Sequence, residues 1–344
     1  LVKTGAGALT LTGDSSYSGG TTISGGNLLV TQGTALGSGG VTNNAGLELA
    51  FAGDSTLANG LNGSGVLTKS GSGNATLTAN GSSQGSVNVA EGRLTLTQGV
   101  VFNAGDYTTA SGATSTINPD AQLALNGVLI QTSGAILQVG INLVSPAISA
   151  SSALLAGELQ LAGYSAVRPA IASNLTSTLY TVIQTATGLS GDFSSVDFGG
   201  STSGVDYLTL AASKSSDNLR YQVGYGLTWQ AGNTQGDGTF TLTEETFNLD
   251  MALSDEGASA TGWNGRDLIK NGSGTLILSA DNTYTGVTTI NGGILQIGDG
   301  GTQGSIIGNI ANDGTLIVNR SDDIAYAGSL SGNGTFIKEG NNSL

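Results

Sequence analysis

Glu244, Glu245 and Asp250 lie close together in the chain, behind Tyr221, Tyr225 and Trp229 and ahead of Trp263. Two carboxyl groups at a fixed separation can hydrolyse a glycosidic bond, and several together can ligate a hard cation. Indole and phenol rings can stack on sugars, although they more often fill a core. Adjacent residues on a strand point to opposite faces, so Glu244 and Glu245 cannot work as a pair, and a solvated acidic face is the simpler reading. No EF-hand spacing or Gly-Gly-x-Gly-x-Asp nonapeptide accompanies them. The chain has no His and no Cys, which removes Ser-His-Asp and Cys-His chemistry, histidine metal sites and disulfides. No catalytic residue, metal or cofactor is assigned, and Tyr221, Tyr225, Trp229, Glu244, Glu245, Asp250 and Trp263 remain as a binding tract.

The charge balance narrows the partners. Ten Lys and Arg, scattered singly, face 24 Asp and Glu for a net charge of -14. Nucleic acid and anionic membrane both require basic patches, so neither is expected as a partner. No stretch approaches the roughly 20 apolar residues of a membrane helix.

The elements that must position the tract are set by a repeat. Laid without a gap over Leu1–Val30, "LIKNGSGTLILSADNTYTGVTTINGGILQI" (Leu268–Ile297) matches at 15 of 30 positions, among them Lys3/Lys270, Gly5/Gly272, Gly7/Gly274, Tyr17/Tyr284 and Gly25-Gly26/Gly292-Gly293. A weaker copy at Leu67–Leu96 keeps Lys69, Gly71, Gly73, Leu77, Gly85, Gly92 and Leu94, and the final "FIKEGNNSL" reads as the start of a fourth. Within each copy, short alternation puts Leu9, Leu11, Ile23, Leu28 and Val30 on one face and Ser or Thr on the other. Gly-Gly and Asn-Gly supply the positive φ of tight corners.

Such strands are too short to bury a core alone, whereas stacked coils join their inward residues into one apolar column. The fold expected is all-β, a right-handed parallel β-helix (β-solenoid), the hand following the crossover preference of parallel strands. At roughly 20 to 25 residues per coil it would make about 15 coils and a rod on the order of 70 Å. An antiparallel sandwich or propeller is the alternative; a propeller should show a steadier blade repeat. Coils are expected over 1–141 and 266–344. Across 142–265 the repeat fades and 11 of the 18 aromatics gather between Tyr164 and Trp263. That region reads either as irregular coils with larger loops or as a cap-like module.

The copies at Gly272–Gly298 and Gly5–Val30 resemble the passenger-associated transport repeat of type V autotransporters. "LYTVIQTATGLSGDFSSVDF" (Leu179–Phe198) and "NLRYQVGYGLTW" (Asn218–Trp229) are similar to segments in passengers of the AIDA-type adhesins. The resemblance implies a passenger threaded through a C-terminal outer-membrane barrel and displayed on a bacterial surface, with this chain a barrel-less internal piece of it. The implied role is adhesion, meaning aggregation, biofilm formation or host attachment. Its partner would be a second copy in trans, through rows of Ser, Thr and Asn, or a host surface protein or glycan. A passive secretion stalk and a carboxylate-dependent polysaccharide enzyme are the alternatives.

Overall fold

The computed structural model describes residues 1–141, 146–163, 168–340 and 343–344, which fall into two compact units. The first comprises Leu1–Ser165, Tyr180–Ser201 and Ala212–Val223; the second comprises Ala166–Leu179, Thr202–Ala211 and Gly224–Leu344.

In the first unit, alternation produces parallel ladders instead of hairpins. Leu9 stands beside Leu28, Leu28 beside Leu47, Leu47 beside Leu67, Leu67 beside Val87, Val87 beside Tyr107 and Tyr107 beside Leu129, so one inward position recurs at each coil. A seven-stranded parallel sheet from Ser55–Leu57 to Ser195–Asp197 and a four-stranded one from Val2–Lys3 to Leu61–Asn62 form the other walls. Ile23, Leu28 and Val30 are fully buried, while Leu9 and Leu11, on a strand at the edge of the sheet, are only half-buried. The pattern breaks where strand Tyr180–Thr185 pairs antiparallel with Arg220–Leu227, placing Tyr180 opposite Val223 and Gln184 opposite Arg220 around a bulge.

The second unit contains two five-stranded parallel sheets. One runs Thr239–Thr241, Leu268–Asn271, Thr288–Ile290, Ile310–Asn312, Leu330–Ser331; the other runs Thr246–Leu249, Thr275–Leu278, Ile294–Ile297, Thr315–Asn319, Thr335–Glu339. Phe240, Phe247, Leu276, Ile290 and Leu295 fill its interior. The chain is thus a parallel β-solenoid with a less regular middle. Among the described residues no helix is long and apolar enough to cross a membrane.

Candidate functional site

The acids and aromatics singled out in the sequence are divided between the units. Tyr221 lies in the first, buried edge-on against Phe193 with ring centroids 5.0 Å apart, and burial beside Asp192 pushes its hydroxyl pKa upward. In the second, Tyr225 is buried, and the buried Trp229 meets Trp263 at 4.8 Å and Tyr284 at 5.2 Å. Each indole N–H donates to a backbone carbonyl, Trp229 to Ser254 at 2.9 Å and Trp263 to Asp267 at 2.8 Å.

Glu244, Glu245 and Asp250 are exposed. The Glu245 carboxylate accepts from the Thr243 and Glu244 amides and the Thr243 hydroxyl, bonds that hold it below the usual carboxylate range. Asp250 accepts the Ser173 amide at 2.8 Å. Asp206 and Glu245 border one groove with Arg168, but Asp206 already accepts the Thr241 amide at 2.9 Å. Among the described residues no three acidic side chains converge as a metal site requires.

Other acids tie one coil to the next. Asp54 accepts the Asn74 amide at 2.9 Å, Asp106 the Val128 amide at 2.8 Å, and Asp313 the Asn333 amide at 3.0 Å. From the acidic tract, Asp267 accepts the Val287 amide at 2.8 Å, and Asp255 accepts both the amide and hydroxyl of Thr285 at 2.7 and 2.8 Å. Each carboxylate therefore satisfies a corner donor in the following coil that the ladders leave open.

The most organised chemistry belongs to the lysine that opens each repeat. Lys3 is 7% exposed, and Lys69 and Lys270 are fully buried. Each ammonium donates to three backbone carbonyls: Lys3 to Thr4, Gly5 and Gly25 at 2.9, 2.9 and 2.8 Å; Lys69 to Ser70, Gly71 and Glu91 at 2.9, 2.6 and 3.1 Å; Lys270 to Asn271, Gly272 and Gly292 at 2.7, 2.9 and 3.2 Å. Two acceptors lie in the turn that follows the lysine, and the third lies 22 residues on, in the next coil. Lys338 makes the first two bonds of the same set, to Glu339 and Gly340, as a fourth copy should; residues 341–342 lie outside the described residues.

The glycines of the repeat shape this berth. Gly5, Gly71 and Gly272 turn at φ 72, 80 and 74°, and Gly26, Gly92 and Gly293 at 68, 66 and 65°, in the region that favours glycine. A Cβ on Gly26 would sit 2.7 Å from the Lys3 ammonium, and one on Gly92 2.9 Å from that of Lys69. Burial pulls the Lys69 and Lys270 pKa values below the ordinary lysine range, Glu91 and Glu245 respectively opposing the shift. Lys-x-Gly and the later corner that ends in Gly26, Gly92 or Gly293 are therefore the two halves of one ammonium clasp.

A second repeat feature spans the loop. Tyr17 and Tyr284 hydroxyls pair with Thr21 and Thr288 at 2.8 and 2.7 Å. In the middle copy both partners change together, to Ser83 and Val87, and that segment is one continuous strand, Ser82–Val89.

Residues 1–30, 67–96 and 268–297, the three stretches built around these clasps, match the profile of the passenger-associated-transport-repeat family. A 68-residue part of the chain, 20% of its length, is 53% identical to "Adhesin BmaC autotransporter" from Brucella suis biovar 1 (strain 1330), and spans 2% of that protein. The chain thus carries three passenger-associated transport repeats and is similar, over a short stretch, to an autotransporter adhesin. All three matched stretches contain the ammonium clasp, which joins one coil to the next, and the first and last also contain the Tyr–Thr pair.

Proposed function

We propose that this chain is a passenger segment of a surface-displayed adhesin, holding cells together or to a host surface by contacts along its outer ladders. The observation that carries this reading is the stacked parallel sheet whose outward positions recur at each coil, together with the 68-residue likeness to a protein named an adhesin. Regularly repeated outward hydroxyls, amides and aliphatic groups offer many weak contacts, and avidity compensates for the weakness of each. The preferred partner is a second copy in trans. The reading is non-enzymatic: the carboxylates at Asp206, Glu245 and Asp250 already accept backbone amides, and the Trp229 ring is buried. Surface exposure of the full protein, with an outer-membrane barrel as anchor, belongs to the same proposal.

Display of the chain on non-aggregating cells through a neutral autotransporter barrel tests it. Settling only when both mixed populations carry the chain establishes homotypic adhesion. No settling at equal surface levels, with no retention on host cells or glycan-coated surfaces, removes the adhesive reading. It would favour a passive stalk, which the dedication of each clasp to coil stacking also fits.

A further inference from the structure

One sheet of the second unit presents two uncharged outward columns, where its sister sheet, with strands of two to four residues, presents one across all five strands, Thr239, Ile269, Thr289, Ala311 and Ser331. On its three inner strands, Thr275, Ile294 and Thr315 stand in register in one outward column, and Ile277, Gln296 and Ile317 stand in the next. All six are half-buried while the residues between them are buried, so both columns face outward. None is charged. The flanking strands extend the columns with Thr246 and Asn248 on one side and Thr335 and Ile337 on the other. Glycines 274, 293, 314 and 334 precede four of the five strands, so that border of the face carries no side-chain rim except at Glu245, ahead of the edge strand Thr246–Leu249.

The first unit offers no equivalent of this width. Half-buried or exposed positions of its seven-stranded sheet carry Arg93, Glu158 and Asp197, and those of its largest sheet carry Glu48 and Asp106. For a chain of net charge -14, a face whose two central columns carry no charge matters, with Glu245 and Glu339 confined to its edge strands. Two copies meeting through carboxylates would desolvate like charges, whereas two meeting through β-branched aliphatic and hydroxyl groups would not.

We propose that this Thr/Ile face is the surface on which a second copy of the chain docks, face to face, in trans. The proposal rests on the homotypic reading above and assigns it a place. Five strands at about 4.8 Å and four to five residues at about 3.3 Å give roughly 350 Å² per copy, under half of the roughly 800 Å² per partner of a stable complex. A single contact is therefore weak, and adhesion needs many copies on opposed surfaces. That matches a partner displayed on another cell better than a dimer in solution.

The test displays the full chain at equal surface levels in three forms. These are the natural sequence, Ile277→Glu with Ile317→Glu, and a control, Thr76→Glu with Gln160→Glu on the seven-stranded sheet of the first unit. The expected result is that settling slows by about tenfold in the Ile variant, where four carboxylates would meet, and changes little in the control. Settling that persists in the Ile variant overturns the face and leaves homotypic adhesion standing. Failure of the natural sequence to settle overturns both. Because the chain has no Cys, Ile277→Cys supplies a second readout that does not depend on lost adhesion. A short bismaleimide should join copies across mixed cells through position 277 and not through Thr76→Cys; no cross-link in settled cells argues against the face.

Discussion

The Lys69 ammonium donates to the carbonyl of Glu91 at 3.1 Å, and the same two residues are joined again where the Glu91 amide donates to the Lys69 carbonyl at 3.3 Å. Side chain and backbone thus close one coil on the next at a single corner, with the charge of the ammonium met by peptide dipoles. Burying an ammonium is costly unless its donors are satisfied, and three carbonyls supply that satisfaction here.

Lys270→Met keeps the stem of the side chain and removes the charge, leaving three inward carbonyls without their donor. The expected cost is about 2–3 kcal/mol, read as hydrogen exchange across 268–297 quickening by roughly a hundredfold. Lys270→Arg should not restore protection, because a planar guanidinium does not fit a berth shaped for a compact ammonium. Exchange unchanged in the Met variant would show that the clasp contributes nothing.

Gly293→Ala puts a Cβ 2.4 Å from the Gly272 carbonyl oxygen at a φ of 65°, so both clash and backbone strain follow. A loss of about 1–3 kcal/mol is expected in urea unfolding. Gly7→Ala, where a Cβ meets nothing within 4 Å, should stay within about 0.5 kcal/mol of the natural chain. Equal effects at the two positions would refute this account of the repeat glycines.

Tyr284→Phe leaves the buried Thr288 hydroxyl without its 2.7 Å partner and should cost about 1–2 kcal/mol. Tyr17→Phe, at a half-buried site with the same bond, should cost less. Thermal melts of the two variants side by side decide the order.

The Thr285 amide and hydroxyl, together with Arg266, hold the Asp255 pKa below its ordinary value. A carboxyl depressed on folding contributes stability that is present above its unfolded pKa and is lost as pH falls through the folded one. Protection of the Thr285 amide, taken relative to its intrinsic exchange at each pH, should therefore fall on acidification below about pH 4, and Asp255→Asn should flatten that fall. An identical acid response in the variant would assign the effect elsewhere.

Self-association between copies carrying -14 should strengthen as salt rises from low ionic strength to about 0.15 M, where the Debye length is near 8 Å. Settling rates across a salt series measure it. Settling that weakens with salt would mean that attraction between opposite charges dominates.

Much of the fold was legible because period-2 alternation and repeated glycines encode it directly: Ile23, Leu28 and Val30 face inward as their spacing requires. The role of the repeat lysine was not. Its recurrence was visible, but the carbonyls that hold it come from backbone, which carries no side-chain signature; the glycines around it were the available signal. The acids near Asp255 and Asp267 drew attention by density, yet their partners are amides in the next coil, 20 to 30 residues away. Tyr107 shows a third limit. Its hydroxyl enters the core because Ser115 and Thr109 form a polar cluster there, a pairing visible only once coils are stacked.

In all three complete copies the lysine and the distant carbonyl it reaches fall within the same thirty residues. A duplication that includes those residues and spans a whole number of coils transplants donor and acceptor together and keeps the ladders in register. An exchange whose breakpoint falls between the lysine and the later corner splits the clasp. Such a molecule can be lengthened or shortened during inheritance by whole modules, and the clasp marks where the cuts are tolerated.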